Sequence, residues 1–333
     1  MPVTQAMIDS AYKAIQPFIR TTPLDLSIGL SEITGVNIWL KKEHQQYTGS
    51  FKLRGALNCI SHLSNEQKQL GVITASSGNH GLGVAMAGKI TGTKVTVFVP
   101  KTTSEIKVEA IKNLGAKLEF VDGDVLTAEL TGSSLAKETG SYYISPYNDP
   151  LVIAGQSTLG IEIHQQLPSA KAVFMSVGGG GLISGIGSFY KENRIDTEIV
   201  GCWPVNAPAL LKCIEQGKIN DVSEYPTLSD STAGGIEADS ITFPIAQKVI
   251  DQYYTVVESE ISHAMHKLAA YEREIVEGSA GVALAAILQQ AKKYHKKDVV
   301  VVLCGNNISF DKWIEVIEPY HFNKKIKINY CVK

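Results

Sequence analysis

The chain has 333 residues, 44% of them apolar, with 31 basic and 33 acidic side chains and a formal net charge of -2. That length and apolar content are enough for one large α/β unit or two domains with sizeable cores. The near balance of charge removes the electrostatic case for nucleic acid or a membrane surface as principal partner, and a small molecule is the better default.

The N-terminal run MPVTQAMIDSAYKAI lacks the basic segment and apolar core of a secretory leader. No later apolar run reaches the ~20 residues of a bilayer span. A cytoplasmic protein is expected. Cys59, Cys202, Cys213, Cys304 and Cys331 are scattered without C-x-x-C pairs or partner histidines, so they read as reduced thiols and not as a disulfide framework or zinc site.

In chain order, the first strand signal is NIWLKKE, from Asn37. GSFKLRGA follows, with Lys52 set between small residues at the start of an apolar helical run. A solvated surface lysine would need neither Gly49 nor Ser50. VITAS predicts the next strand and ends on Ser76-Ser77-Gly78-Asn79-His80-Gly81. Hydroxyls, an amide and helix-start N–H groups gathered there suit a carboxylate or a phenolic oxygen, and a plain helix cap is the alternative. His80 taken alone reads as structural.

KVTVFVP, KLEFVD and YYIS continue the strand–helix alternation up to the turn cluster Pro146-Tyr147-Asn148-Asp149-Pro150. Residues 67–149 are therefore expected to form a small α/β domain inserted into a larger one made of residues 1–66 and 150–333. Such alternation builds mainly parallel sheets, whose ligands gather at the carboxyl ends of the strands.

The strand AVFMSV runs into Gly178-Gly179-Gly180-Gly181-Leu182, which opens another helical stretch. Four successive glycines remove all side-chain packing. They make sense where bare N–H groups close on an anion at a helix N-terminus, and a phosphate is the natural occupant. The spacing is not G-x-G-x-x-G, because Ile183 and Ser184 take the third position, and the next strand, EIVGCW, ends on cysteine and tryptophan where a ribose-binding acid would stand. A Gly-Lys-Ser/Thr ending is also missing, which removes the usual nucleoside triphosphate reading. DVVVVLC, the last strand signal, ends on Cys304-Gly305-Asn306-Asn307. A small polar group there could face a heterocyclic nitrogen, and a buried inert cysteine is the alternative. The basic segment Lys324 to Lys333 reads as a solvated end or packing arm.

An amine for an aldehyde, a glycine cup for a phosphate, an amide for a phenolic oxygen and a small polar group for a ring nitrogen together describe pyridoxal 5'-phosphate. GSFKLRGA, SSGNHG, the GGGG run, DPLVIAGQSTLGIEI and EGSAGVALAA resemble, in order and spacing, the fold-type II pyridoxal-phosphate enzymes of the serine/threonine dehydratase and serine racemase family. The resemblance implies a tryptophan synthase β-like α/β fold, with two open, twisted, mainly parallel domains and the active site in the crevice between them.

It implies further that Lys52 bonds the cofactor aldehyde and that Phe51 packs beside the ring. Asn79 would hold the phenolic oxygen, Gly178, Gly179, Gly180, Gly181 and Leu182 the phosphate, and Cys304 would face the pyridine nitrogen. Ser76, Ser77, Asn79 and His80 would receive the substrate carboxylate. Glu277, in VEGSAG, resembles a family acid near the cofactor, with a helix cap as the alternative.

The implied reaction is β-elimination of L-threonine or L-serine to a 2-oxo acid and ammonia in a homodimeric enzyme. An amino-acid racemase or a dehydratase of another β-hydroxy amino acid such as 3-hydroxyaspartate is the alternative, and a non-catalytic carrier of the cofactor is a further one. Ser77 matches the second acid/base of the racemases, which permits racemisation without establishing it. The two carboxylates that hold a divalent ion in the racemase branch are replaced here by Trp203 and Ala209, so no divalent metal is expected there, with a monovalent ion bound by carbonyls as the alternative; Glu237 and Asp239 are the nearest acids in kind. With only residues 305–333 after the Cys304 turn, a regulatory domain is not expected and a free-standing catabolic enzyme is.

Overall fold

The computed structural model describes residues 3–322, so Cys331 and the segment Lys324 to Lys333 lie outside the described residues. Runs of apolar and β-branched residues form two sheets. The larger contains β1 (Leu24–Leu26), β2 (Asn37–Lys41), β7 (Ala172–Ser176), β8 (Glu198–Pro204), β9 (Gln252–Val256) and β10 (Asp298–Val302), in the spatial order β1-β2-β10-β7-β8-β9. The smaller contains β3 (Val72–Ala75), β4 (Val95–Pro100), β5 (Lys117–Val121) and β6 (Tyr142–Tyr143), in the order β5-β4-β3-β6. Every pairing is parallel except that of β1 with β2.

The central strands β7 and β10 are buried on both faces, as their unbroken apolar runs require. Val301 of β10 lies between Leu40 of β2 and Phe174 of β7. A reading based on apolar runs passes over β1 and β9. Both are edge strands with mostly exposed side chains, and an edge needs no continuous apolar face. The apolar cluster beneath the smaller sheet also takes in Ile15, Ile19, Leu53, Leu57 and Val152 from neighbouring segments.

The helix Lys52–His62 joins the two halves. Its residues Leu53 to Ile60 are all buried, and it crosses the helix Pro150–Gln166 so closely that a side chain on Gly155 would meet the Arg54 carbonyl oxygen at 2.5 Å and the Gly55 Cα at 2.6 Å. These are backbone atoms, which yield only if the helices separate. Gly155→Ala is therefore expected to lower stability by about 1–3 kcal/mol through overpacking, although alanine alone would favour the helix by roughly 1 kcal/mol. Urea unfolding of the variant measures the net effect, and stability equal to wild type would mean the crossing has slack.

Candidate active site

Three strand ends converge on one crevice. β10 continues into Leu303 and Cys304, and this turn is stitched to the start of the lysine helix: the Phe51 N–H donates to the Cys304 carbonyl at 3.2 Å, and the Asn306 N–H donates to that of Gly49 at 3.0 Å. Lys52, the first residue of its helix, is thereby set beside the Cys304 turn. Its Nζ donates to the Pro146 carbonyl at 3.0 Å and lies 5.3 Å from the centre of the Phe51 ring. Burial brings the amine down to about 8, against the pull of Cys304 and Glu277, so much of it is neutral and nucleophilic under mildly alkaline conditions.

The Cys304 thiol is buried and exchanges hydrogen bonds with Ser279 Oγ at 3.2 Å and Ser176 Oγ at 3.4 Å. Burial, and then the Glu277 carboxylate, push it up to about 12. Cys304 therefore stays a neutral thiol. Close by in sequence to Lys52, the buried hydroxyls of Thr48 and Ser50 have no hydrogen-bond partner.

β7 delivers the glycine loop. Gly180 has φ +86°, a left-handed conformation that favours glycine, and the helix Gly181–Glu192 starts immediately after it. The chain's own atoms enclose the rest of the loop. A Cβ on Gly178 would meet Thr232 backbone atoms at 2.8 Å and 2.9 Å, and one on Gly179 would run into the Tyr147 ring. Thr242 Oγ1 donates to the Gly179 carbonyl at 2.6 Å. No backbone carbonyl of the described residues takes the N–H groups from Gly179 to Leu182, which leaves a row of donors at a helix N-terminus.

β3 ends on the serine turn, where Ser76, Ser77 and Asn79 are partly exposed. Ser76 Oγ accepts the Gly78 N–H at 3.2 Å. His80 departs from the other carboxylate candidates: its ring is buried, and Nε2 is held at 3.0 Å by the Ile144 carbonyl oxygen. Burial, with Lys52 adding to it, brings the imidazole down to about 3. The ring is a neutral anchor for the end of the small sheet, and the His80 backbone N–H belongs to the first turn of the helix Asn79–Thr91.

Glu277 is the group whose role the sequence left open. It occupies the N-cap position of the helix Gly278–Gln289 without a side-chain capping bond. Its buried carboxylate instead accepts from Asn79 Nδ2 at 2.9 and 3.1 Å, Ser231 Oγ at 2.8 Å, Ser279 Oγ at 2.5 Å and the Asn307 N–H at 3.0 Å. Asn307 Nδ2 donates in turn to Asn79 Oδ1. Pro146, Tyr147, Ser231, Ser279 and Asn307 were not singled out from the sequence. Tyr147 and Pro146 lay in a turn cluster read only as a boundary, and Asn307 stood three residues past Cys304. A cavity of about 880 Å³ adjoins the site at Glu277 and Asn307, with Ser104, Lys107, Leu228 and Met265 also in its lining, but Lys52, Cys304, the serine turn and the glycine loop are not part of its wall.

Trp203 is fully buried, and the Ala209 N–H donates to Glu224 Oε1 at 3.2 Å while the other Glu224 oxygen takes the Gly234 N–H at 2.6 Å. Glu237 lies elsewhere, accepting from Asn148 Nδ2 at 2.7 Å, with Asp239 at 3.5 Å from the same nitrogen. Among the described residues no group of three or more His, Cys, Asp or Glu side chains is arranged around a metal position.

A family model described as pyridoxal-phosphate dependent enzyme matches residues 15–305. An L-threonine ammonia-lyase of Thermotoga maritima is 37% identical over 307 residues, covering 92% of this chain and 76% of that protein. The processed form of threonine deaminase isoform 2 from Solanum lycopersicum has a similar structure, with a TM-score of 0.89, 35% identity and coverage of 94% and 92% of the two chains. Serine racemase from Dictyostelium discoideum is also similar, with a TM-score of 0.86, 32% identity and coverage of 93% and 100%. The site fits pyridoxal phosphate on its own geometry: a desolvated amine, a row of unpaired N–H groups in a loop closed to side chains, and a neutral thiol share one crevice.

The Glu277 carboxylate gathers donors from both sides of that crevice. Glu277→Ala leaves them without an acceptor in a buried setting and is expected to cost about 2–4 kcal/mol in urea unfolding, with Glu277→Gln costing less. An alanine variant as stable as wild type would mean that water replaces the carboxylate freely.

Proposed function

Because the chain belongs to the family of pyridoxal-phosphate dependent enzymes, we propose that it is a lyase that converts L-threonine or L-serine to the corresponding 2-oxo acid and ammonia. The observation that carries this reading is that the start of the Lys52 helix is bonded to the turn carrying the neutral Cys304 thiol after β10, and that this thiol touches Ser176 at the end of β7, the strand that leads into the glycine loop. The likeness to threonine ammonia-lyase and threonine deaminase supports it.

When bound, the cofactor supplies an electron sink for the charge that develops at the substrate Cα. With the cofactor bound, Lys52 would hold its aldehyde carbon through Nζ; displaced by the substrate amino group, the free amine takes the Cα proton and passes it to the departing β-hydroxyl, which leaves as water. Return of the amine to the cofactor frees the product as an enamine, which becomes an imine and is hydrolysed by water to the 2-oxo acid and ammonia. N–H groups of Gly179 to Leu182 would bind the phosphate. Asn79, oriented by Glu277 and Asn307, would hold the phenolic oxygen. The neutral thiol of Cys304 would stand at the ring nitrogen without giving it a full proton, which would moderate the electron sink and favour prompt elimination. Ser76, Ser77 and the N–H groups at the start of the Asn79 helix receive the substrate carboxylate.

A second reading, racemisation, is favoured by one observation. Ser77 is partly exposed on the serine turn, and as a racemase its hydroxyl would return the proton to the face opposite Lys52. One incubation scored for 2-oxo acid and for D-amino acid separates the two activities, and D-amino acid as the main product would reverse their order. No helix among the described residues is long and apolar enough to cross a membrane. Buried free thiols at Cys59, Cys202, Cys213 and Cys304 support a reducing, cytoplasmic setting. The exposed apolar residues Leu26, Ile28, Tyr271 and Ile275 support a homodimer.

Lys52→Ala is expected to abolish turnover and to remove the cofactor trapped covalently by borohydride. Trapping on another lysine of the wild type would defeat the assignment. Because the neutral amine attacks, attachment of cofactor to the apoenzyme should quicken as pH rises and level off above the Lys52 value of about 8. A rate flat from acid to alkaline pH would contradict that order. Chelation should leave turnover within about twofold, since Trp203 and Ala209 provide no hard oxygen ligands. A large loss reversed by Mg²⁺ or Ca²⁺ would overturn this.

A further inference from the structure

The lysine helix carries a second cation two residues after Lys52. Arg54 is fully buried. Its Nε and Nη2 donate to the Glu43 oxygens at 2.7 and 2.8 Å, its Nη1 and Nη2 to those of Glu162 at 2.7 and 2.9 Å, and its Nη1 to Thr158 Oγ1 at 3.2 Å. All five guanidinium hydrogens are thus used, four in two carboxylate forks and the fifth on Thr158. Lys41, at the end of β2, completes the set with three donors of its own, to Glu162 Oε2 at 2.7 Å, the Thr22 carbonyl at 2.7 Å and Gln166 Oε1 at 2.9 Å. Two positive and two negative side chains close the group without net charge.

Residues two apart on a helix project about 200° apart around its axis. The helix therefore presents Lys52 to the crevice and Arg54 to the opposite side, where Glu43 follows β2 and Glu162 belongs to the helix Pro150–Gln166. We propose that Arg54 is a positioning residue for Lys52, its two carboxylate forks fixing the rotation and axial setting of the helix so that Nζ stands at the reacting carbon. A single ion pair would leave the helix free to roll about that bond; two planar forks from different elements remove the rotation. The action is geometric. Glu43, Glu162 and Lys41 are not among the groups that shift the Lys52 amine.

Burial works against every charge here, and pairing decides the result for Arg54 and Glu43: Glu43 and Glu162 hold the guanidinium protonated, and Arg54 holds the Glu43 carboxyl below its usual range. Lys41 goes the other way, with burial lowering it in spite of Glu162. Arginine is required for the forks, since a lysine ammonium has no planar pair of donors.

This inference rests on the role proposed for Lys52, and the experiment separates the two. Apoenzyme of wild type and Arg54→Lys is mixed with pyridoxal phosphate and quenched with borohydride over a time course. The modified peptide is then identified by mass, while noncovalent cofactor affinity, melting temperature, kcat and KM are measured alongside. The expected result for Arg54→Lys is attachment at Lys52 slowed by about tenfold or more and kcat reduced alike, because a misplacement of about 1 Å costs on the order of a hundredfold. KM and noncovalent affinity should stay within about threefold. Glu43→Gln, which keeps an acceptor oxygen, should show a smaller slowing in the same direction and takes the place of Arg54→Lys if that variant does not fold. A folded variant that attaches cofactor at the wild-type rate overturns the role of Arg54 alone. Wild type that attaches it at a residue other than Lys52 overturns the function instead.

Discussion

A buried, neutral set of four charges ties the Lys52 helix to β2 and the helix Pro150–Gln166, and the setting of Lys52 follows from that tie. Removing an ion from water costs several kcal/mol even after relaxation, and an ion pair recovers that cost only with near-complete hydrogen bonding. Arg54 and Lys41 meet the condition, since each of their donors has an acceptor. Apolar residues of similar volume could supply comparable stability. Apolar packing lacks direction, whereas forked bonds to Glu43 and Glu162 specify how the helix is turned. The close crossing at Gly55 and Gly155 sets how near the helices lie, and the ion set fixes their rotation.

On the crevice side of the same helix, burial acts in the opposite sense for two groups. It disfavours the ammonium of Lys52 and the thiolate of Cys304, so both tend toward their neutral forms. A neutral amine can attack and take up a proton, and a neutral thiol leaves a ring nitrogen largely unprotonated. One physical cause, burial, therefore sets the neutral form of both groups.

Glu277 gives the crevice its polar continuity. Asn79 comes from the end of β3 in the small sheet, while Ser231, Ser279 and Asn307 belong to the large half. A single carboxylate receives from all of them, so the position of the small-sheet turn is tied to that of the β10 turn. The hydroxyl relay from Glu277 through Ser279 to Cys304 extends this link to the thiol.

The parallel architecture was legible because apolar runs mark the buried strands β7 and β10 directly, while edge strands β1 and β9, exposed and short of apolar side chains, left no such mark. Lys52, the glycine run and the serine turn could be read from sequence because each is a local pattern: a few adjacent residues whose backbone freedom or hydrogen-bonding capacity makes sense only beside a ligand. Glu277 and Arg54 could not be read that way. Their partners lie up to 198 and 108 residues distant along the chain, and a lone acid or arginine carries no sign of what it will meet once buried. His80 shows the same limit, since its neighbours in sequence suggested a carboxylate ligand and the Ile144 carbonyl oxygen, 64 residues away, claimed its ring. Local backbone chemistry is written in adjacent residues, so the sequence by itself determined the fold class and the cofactor and singled out Lys52 as the lysine proposed to react with it. Pairing among buried polar groups depends on which elements pack together, so only the tertiary structure decided what orients that lysine and what joins the two sides of its crevice.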